Sequence, residues 1–201
     1  MKVTRRVTPF LLMPFFCLSA IASVNAADKG ELESTMIELS HVSAHMNDES
    51  QDEGLAMRLR NETVDGWYID LFGADSDMTF VDDQGDALGV NYWANARLGK
   101  AFKMSEQLDM YAGIDATYAH ESTDDRLHRG LGGHVGVRYT PSDRVDFDAD
   151  VSHVEWLDND TVRLRAQTNV ALSDHAYVLA GVQRLLDADM TVVNTGLGVR
   201  F

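Results

Sequence analysis

Along most of the chain after Glu33, apolar residues return at every second position, and polar clusters break the pattern into segments. "LAMRLRN" sets Leu55, Met57 and Leu59 against Ala56, Arg58 and Arg60. "GWYIDLFG" sets Trp67, Ile69 and Leu71 against Tyr68, Asp70 and Phe72. "LGVNYWANARLG" places Leu88, Val90, Tyr92, Ala94, Ala96 and Leu98 on one parity, with Asn91, Trp93, Asn95 and Arg97 on the other. "LDMYAGIDATYA" does the same with Leu108 to Tyr118 against Asp109, Tyr111, Gly113, Asp115 and Thr117. "TMIELSHV", "LGGHVGVRY", "VDFDADVS", "VRLRAQTNVAL", "AYVLAGVQ" and the terminal "TVVNTGLGVRF" continue it. Side chains alternate faces in a strand, so this period of two predicts ten strands, with eight as the alternative count.

Length separates the architectures open to such a chain. A globular strand runs about five or six residues, whereas a tilted membrane strand needs about 9 to 11; several segments here are of the longer kind. The connections also differ in character. "NETVDG", "FKMSEQ", "TPSDR" and "SDH" are short, while "HMNDESQDEG", "DSDMTFVDDQGD", "HESTDDRLHRG", "WLDNDT" and "LLDADM" carry most of the acid. Short turns at one end and polar loops at the other fit a transmembrane barrel with both termini on the periplasmic side. An all-β chain satisfies its backbone groups in lipid only by closing on itself. The expected fold is an all-β, antiparallel up-and-down transmembrane β-barrel.

The first residues supply the route. Lys2, Arg5 and Arg6 precede an apolar run from Phe10 to Ile21, followed by Val24-Asn25-Ala26. This is the layout of a secretory signal peptide over residues 1–26, with the barrel domain spanning 27–201. The apolar run is shorter than the roughly 20 residues of a membrane helix. Cleavage would remove the only cysteine, Cys17, and with it any disulfide or thiolate metal site. It would also remove three basic residues while keeping all 32 acids, which takes the net charge from −15 to −18. So acidic a chain is a poor nucleic-acid binder.

The signal peptide, the alternating strands and the C-terminal "GLGVRF" together resemble the small bacterial outer-membrane β-barrel proteins. The resemblance covers essentially the whole mature chain, through a pattern and not a catalytic motif. It implies residence in the outer membrane, contact with its lipid, and passage through the secretion translocon and the barrel-assembly machinery. It also implies that Val193, Thr195, Leu197, Val199 and Phe201 form the assembly signal. Val193 departs from the large aromatic that many members carry at that position.

On the inward parity the charges alternate by strand. Odd strands are acidic: Glu38, Asp70, Asp109 and Asp115, then Asp146, Asp148 and Asp150. Even strands are basic: Arg58 and Arg60, Arg97, Arg138, Arg163 and Arg165, then Arg200. The ninth strand offers only Tyr177 and Gln183. Opposite charges on neighbouring strands stabilise pairing and register, and a ten-stranded barrel is narrow enough to be filled by side chains. The expectation is an interior ion-pair network, with Asp146, Asp148 and Asp150 meeting Arg138, Arg163 and Arg165, and with Tyr68, Trp93 and Tyr111 adding bulk. Gly113, Gly132, Gly136, Gly196 and Gly198 leave room for water in the rival reading, a narrow channel for small solutes or ions.

Chemistry is weakly signalled. His41, His45, His120, His128 and His153 fall towards the loop rim, with Ser and Asp nearby, but no spacing matches a hydrolase motif. The resemblance to small outer-membrane barrels, some of which are lipid-modifying enzymes with such residues at the rim, implies a rim-located enzyme as a third reading. His41, His45, His120 and His128 are the weak metal candidates, and the acidic loops suit divalent cations. "DDQGD" lacks EF-hand spacing. The leading expectation is a non-enzymatic structural or envelope-associated barrel without a cofactor.

Overall fold

The computed structural model describes residues 32–46, 49–81, 87–121, 125–156, 159–187 and 190–201. The proposed signal peptide, its cleavage point and the "DDQGD" segment lie outside them. Ten antiparallel strands follow one another: β1 Leu32–Met46, β2 Glu49–Thr63, β3 Trp67–Val81, β4 Ala87–Lys103 and β5 Leu108–Glu121. Next come β6 Arg126–Ser142, β7 Val145–Trp156, β8 Asn159–Ala171, β9 Ala176–Leu185 and β10 Met190–Arg200. Each pairs with its sequence neighbours, and β1 pairs with β10, so the sheet is a closed up-and-down barrel. The closing seam runs in register from Met36 opposite Arg200 to Met46 opposite Met190. Phe201 extends that seam, since Thr35 N–H donates to its carbonyl at 3.1 Å and its own N–H donates to Thr35 at 2.9 Å.

The parity reading holds through most of the wall. Leu39, Leu98, Ile114, Leu131, Val151 and Leu197 are exposed on the outer face. Tyr68, Asp70, Arg97, Tyr111, Asp115 and Asp150 are buried inside. Exposed apolar residues on an alternating strand mark a face built for a non-aqueous medium. At the termini end that face carries Trp67, Phe102, Tyr139, Phe147 and Phe201, all exposed. Tyr139 and Phe147 stack at 6.5 Å, and Lys100 Nζ lies 5.4 Å from the Trp67 ring centre.

Three expectations need correction. The acid-rich stretches read as loops are largely strand: β2 begins at Glu49 and β3 continues to Val81. A ladder needs only backbone partners, so it continues beyond the point where side-chain alternation stops. Val90, expected on the outer parity, is fully buried inside. The register shifts between Val90 and Tyr92, and an inserted residue turns every side chain beyond it to the other face.

The third concerns the glycines. Tyr68 stands opposite Gly99, Tyr111 opposite Gly136, and Tyr177 opposite Gly198. Each tyrosine ring lies so close over its glycine that a Cβ there would overlap it. His134 covers Gly113 in the same way, while a Cβ at Gly132 would meet Val154 and one at Gly196 would meet Ser40. At Gly99, Gly113, Gly136 and Gly198 the space is taken by a side chain and not left to water, while at Gly132 and Gly196 the neighbouring strand's backbone is the nearest obstacle.

Candidate functional site

The interior is a layer of paired charges. Arg58 donates through Nε to Asp70 at 2.7 Å and through Nη2 to the second carboxylate oxygen, and its Nη1 lies 3.6 Å from Glu38. Arg97 grips Asp150 through two bonds of 3.1 and 3.0 Å, with Asp115 at 3.5 Å. Arg163 donates to Asp115 at 2.8 Å and to Ser152 at 2.9 Å. Arg165 bridges Asp150 and Asp148, the latter at 2.8 Å. Arg60 and Arg138 each donate to Glu62 at 3.1 Å. Arg200 donates to Asp146 at 2.6 Å, towards the termini end. Among the described residues, seven guanidinium groups of this layer face seven carboxylates within ion-pair distance.

Two geometries build this layer. Along the wall, opposite charges stand in register: Glu38 with Arg58, Asp70 with Arg97, Arg97 with Asp115, Arg138 with Asp148 and Asp150 with Arg165. Across the lumen, Arg97 of β4 reaches Asp150 of β7, Arg163 of β8 reaches Asp115 of β5, and Arg138 of β6 reaches Glu62 of β2. The expected assignment for Asp146, Asp148 and Asp150 is thus corrected in part. Asp146 pairs with Arg200, Arg163 goes to Asp115, and Arg138 stands 3.9 Å from Asp148 while bonding Glu62. Asp109 faces Arg138 across the β5–β6 ladder.

Tyrosine, glutamine and histidine side chains fill the remaining valences. Glu38 accepts from Tyr177 and from Gln167, each at 3.0 Å. Tyr111 donates to Asp148 at 2.6 Å. His134 is hydrogen-bonded on one ring nitrogen to Tyr68 and on the other to Asp115. Glu62, His134 and Gln167 escaped the sequence reading. Their inward parity was the available signal, but a single polar residue on that parity does not announce a partner several strands away.

Towards the loop end the filling changes character. Val42, Ala44, Ala56, Ala74, Trp93, Leu185, Met190 and Val192 form a buried cluster with Val90 and Ala119, and Phe72 packs against it with its ring 4.7 Å from that of Trp93. A cavity of about 50 Å³ lies between this apolar layer and the charges, lined among others by Val42, Phe72, Trp93, Arg97 and Arg165. At the termini end a vestibule of about 530 Å³ narrows onto Arg58, Arg60, Arg138 and Asp148.

The rim histidines are dispersed among the described residues. His41 is exposed and 3.5 Å from Glu53, and His45 meets Ser43 at 3.2 Å. His120 contacts Asn91 at 2.9 Å and Asp125 at 3.0 Å, whereas His128 reaches Glu121 at 3.2 Å. His153 is exposed on the outer parity of β7. On β10, Val193, Thr195, Leu197, Val199 and Phe201 all lie exposed on the outer face.

Fold and interior together define a closed ten-stranded barrel with a filled lumen. Solved structures of like architecture include the NanC porin, at 9% identity over 81% of this chain and 98% of that one, with a TM-score of 0.49. An outer membrane channel from Pseudomonas putida F1 shares 11% identity over 87% of this chain and 98% of that one, with a TM-score of 0.49. The attachment invasion locus protein Ail of Yersinia pestis shares 14% over 87% of this chain and 100% of that one, with a TM-score of 0.37. These are likenesses of barrel architecture, and no property of those proteins passes to this chain by them. No protein-family model and no curated protein matches the sequence.

Proposed function

We propose that the protein is an outer-membrane barrel closed by its own side chains, with a structural role in the envelope and neither a catalytic nor a conductive one. The apolar outer face and the aromatic ring at the termini end support insertion in a bilayer with both termini periplasmic. The observation that carries the reading is the interior layer, paired along the wall and across the lumen, in which seven arginines meet seven carboxylates among the described residues. Its closure is reinforced by the apolar cluster above it. An ion crossing the barrel would have to part desolvated pairs and then pass an apolar constriction, and both are costly.

Biogenesis in this reading uses the secretion translocon and then the barrel-assembly machinery, which would recognise the outward β10 residues ending in Phe201. Divalent cations at the acidic connections would be surface counter-ions. Planar-bilayer recording tests the reading: the purified protein should insert with little or no steady conductance. A large, stable wild-type conductance would promote the second reading, a narrow solute channel, for which the 530 Å³ vestibule is the favouring observation. Lipid composition unchanged by expression of the protein is the matching expectation for the non-enzymatic role.

A further inference from the structure

The charge layer is balanced as a whole but not locally. At the floor of the vestibule, Arg60 and Arg138 share one oxygen of one carboxylate: three N–H groups converge on Glu62 Oε2, each at 3.1 Å. The next carboxylate, Asp148, lies 3.7 Å from Arg60 and 3.9 Å from Arg138. Those contacts are to Asp148 Oδ2 and are too long for hydrogen bonds, while its Oδ1 is held by Tyr111 at 2.6 Å and by Arg165 at 2.8 Å. Arg60 is further short of acceptors, because its Nε is buried and has no hydrogen-bond partner. Its guanidinium carbon lies over the Tyr68 ring, 4.6 Å from the ring centre, a cation–π contact that supplies no hydrogen-bond acceptor. Both arginines line the vestibule. Asp109, in register with Arg138, opposes these cations from the β5 side, and Asp65 and Lys103, of opposite sign, also line the vestibule. Arg200 on the same vestibule is committed to Asp146.

Two guanidinium groups on one carboxylate, beside a water-accessible space, make a receptor for a further oxyanion. We propose that the vestibule binds a small solute bearing a phosphate or carboxylate group through Arg60 and Arg138. The vestibule ends on the charge layer, so this is a binding pocket at the periplasmic mouth and needs no passage through the barrel. It goes beyond the structural role, and its test reads binding and not conductance.

Isothermal titration of the mature barrel in detergent micelles, in low-chloride buffer at neutral pH, would use inorganic phosphate as the probe and acetate as the monovalent comparison. Wild type should show saturable one-to-one binding, tighter for phosphate than for acetate. Arg138→Gln should weaken phosphate roughly tenfold, and Glu62→Gln should tighten it by about the same factor, since removing a neighbouring charge at this range acts directly on the anion. Asp109→Asn should tighten it less, and Arg200→Gln should leave it within about twofold. A purely structural role for these residues would not produce opposite signs for Arg138→Gln and Glu62→Gln. If Arg138→Gln fails to fold, judged by heat-modifiable migration, the two carboxylate variants decide the question. Absence of saturable phosphate binding in wild type, or unchanged affinity in both carboxylate variants, would overturn the proposal.

Discussion

Removing two neighbouring cations from the interior, Arg163→Ala with Arg165→Ala, tests how dry the charge layer is. Arg163 is buried and supplies Asp115 with a 2.8 Å bond, while Arg165 joins Asp150 to Asp148 and is 14% exposed at its side chain. Their loss takes two positive charges from seven. Asp115 keeps His134 and a longer contact to Arg97, and Asp150 keeps the paired bonds from Arg97. Asp148 is left worst, with Tyr111 and two contacts of 3.7 and 3.9 Å. Breaking one desolvated pair costs about 3 to 5 kcal/mol. The two sites share Arg97 and Asp150, so the double variant should cost less than twice that, about 5 to 7 kcal/mol. Urea unfolding of the barrel in lipid vesicles measures the loss, and planar-bilayer recording shows whether the unpaired carboxylates admit cations. The expected outcome is a large destabilisation with a new cation-selective leak. Adding Asp115→Asn and Asp150→Asn should recover part of the stability by restoring neutrality. A loss below about 1 kcal/mol, with conductance the same as wild type, would refute the argument, because only pairs already bathed in water are worth so little.

Other consequences follow from single contacts. Deleting Phe201, which closes the β1–β10 seam against Thr35, should lower outer-membrane yield more than Arg200→Ala does; equal yields would sink the assembly-signal reading. Gly136→Val should destabilise the barrel by more than about 2 kcal/mol in the same urea assay, because the Tyr111 ring occupies the space a side chain would need. Arg97→Lys should also destabilise it, since one ammonium cannot reproduce the paired bonds to Asp150 and the bond to Asn95; a neutral result would mean that bidentate geometry is unimportant. Mass spectrometry of the outer-membrane fraction should find a mature chain starting at Ala27, and a retained segment 1–26 would contradict the signal-peptide reading.

The strand count, the closure and the inward charges were legible because a period of two carries them directly. Alternation tells which face Asp70, Arg97 and Asp115 occupy, and simple antiparallel order then brings them side by side. Alternation does not tell the stagger of the whole barrel. Partners across the lumen, such as Arg97 with Asp150 or Arg138 with Glu62, depend on that stagger and stayed hidden. The apolar layer was missed for a different reason. Near the loop end Val42, Ala44 and Val192 are apolar on the inward parity, so the alternation fades where the interior turns dry. Val90 joins them only because the ladder shifts beside it, and a bulge leaves no mark in a hydrophobicity pattern. Glycines on the inner parity looked like space, whereas each of three stands opposite a tyrosine whose ring covers it.

The choice of side chains inside follows from the same alternation. A wall whose outer parity is given to apolar residues must fill its lumen from the other parity, and most of that parity is polar. Short polar side chains would leave water in a barrel of this width, so the filling needs long ones. Every cation in the ion-pair layer is an arginine, while Lys100 and Lys103 lie on the outer face and at the vestibule mouth. A guanidinium can serve carboxylates on two strands at once, as Arg97 does for Asp115 of β5 and Asp150 of β7, because its donors point in several fixed directions. Arginines of this layer also tie strands that are not neighbours in the sheet: Arg97 joins β4 to β7, Arg163 joins β8 to β5 and Arg138 joins β6 to β2. The lumen is therefore braced across its diameter as well as around its wall. A slip of one strand by one residue would turn that strand's charges to the apolar outer face and break their pairs, so the layer also specifies the pairing of the sheet.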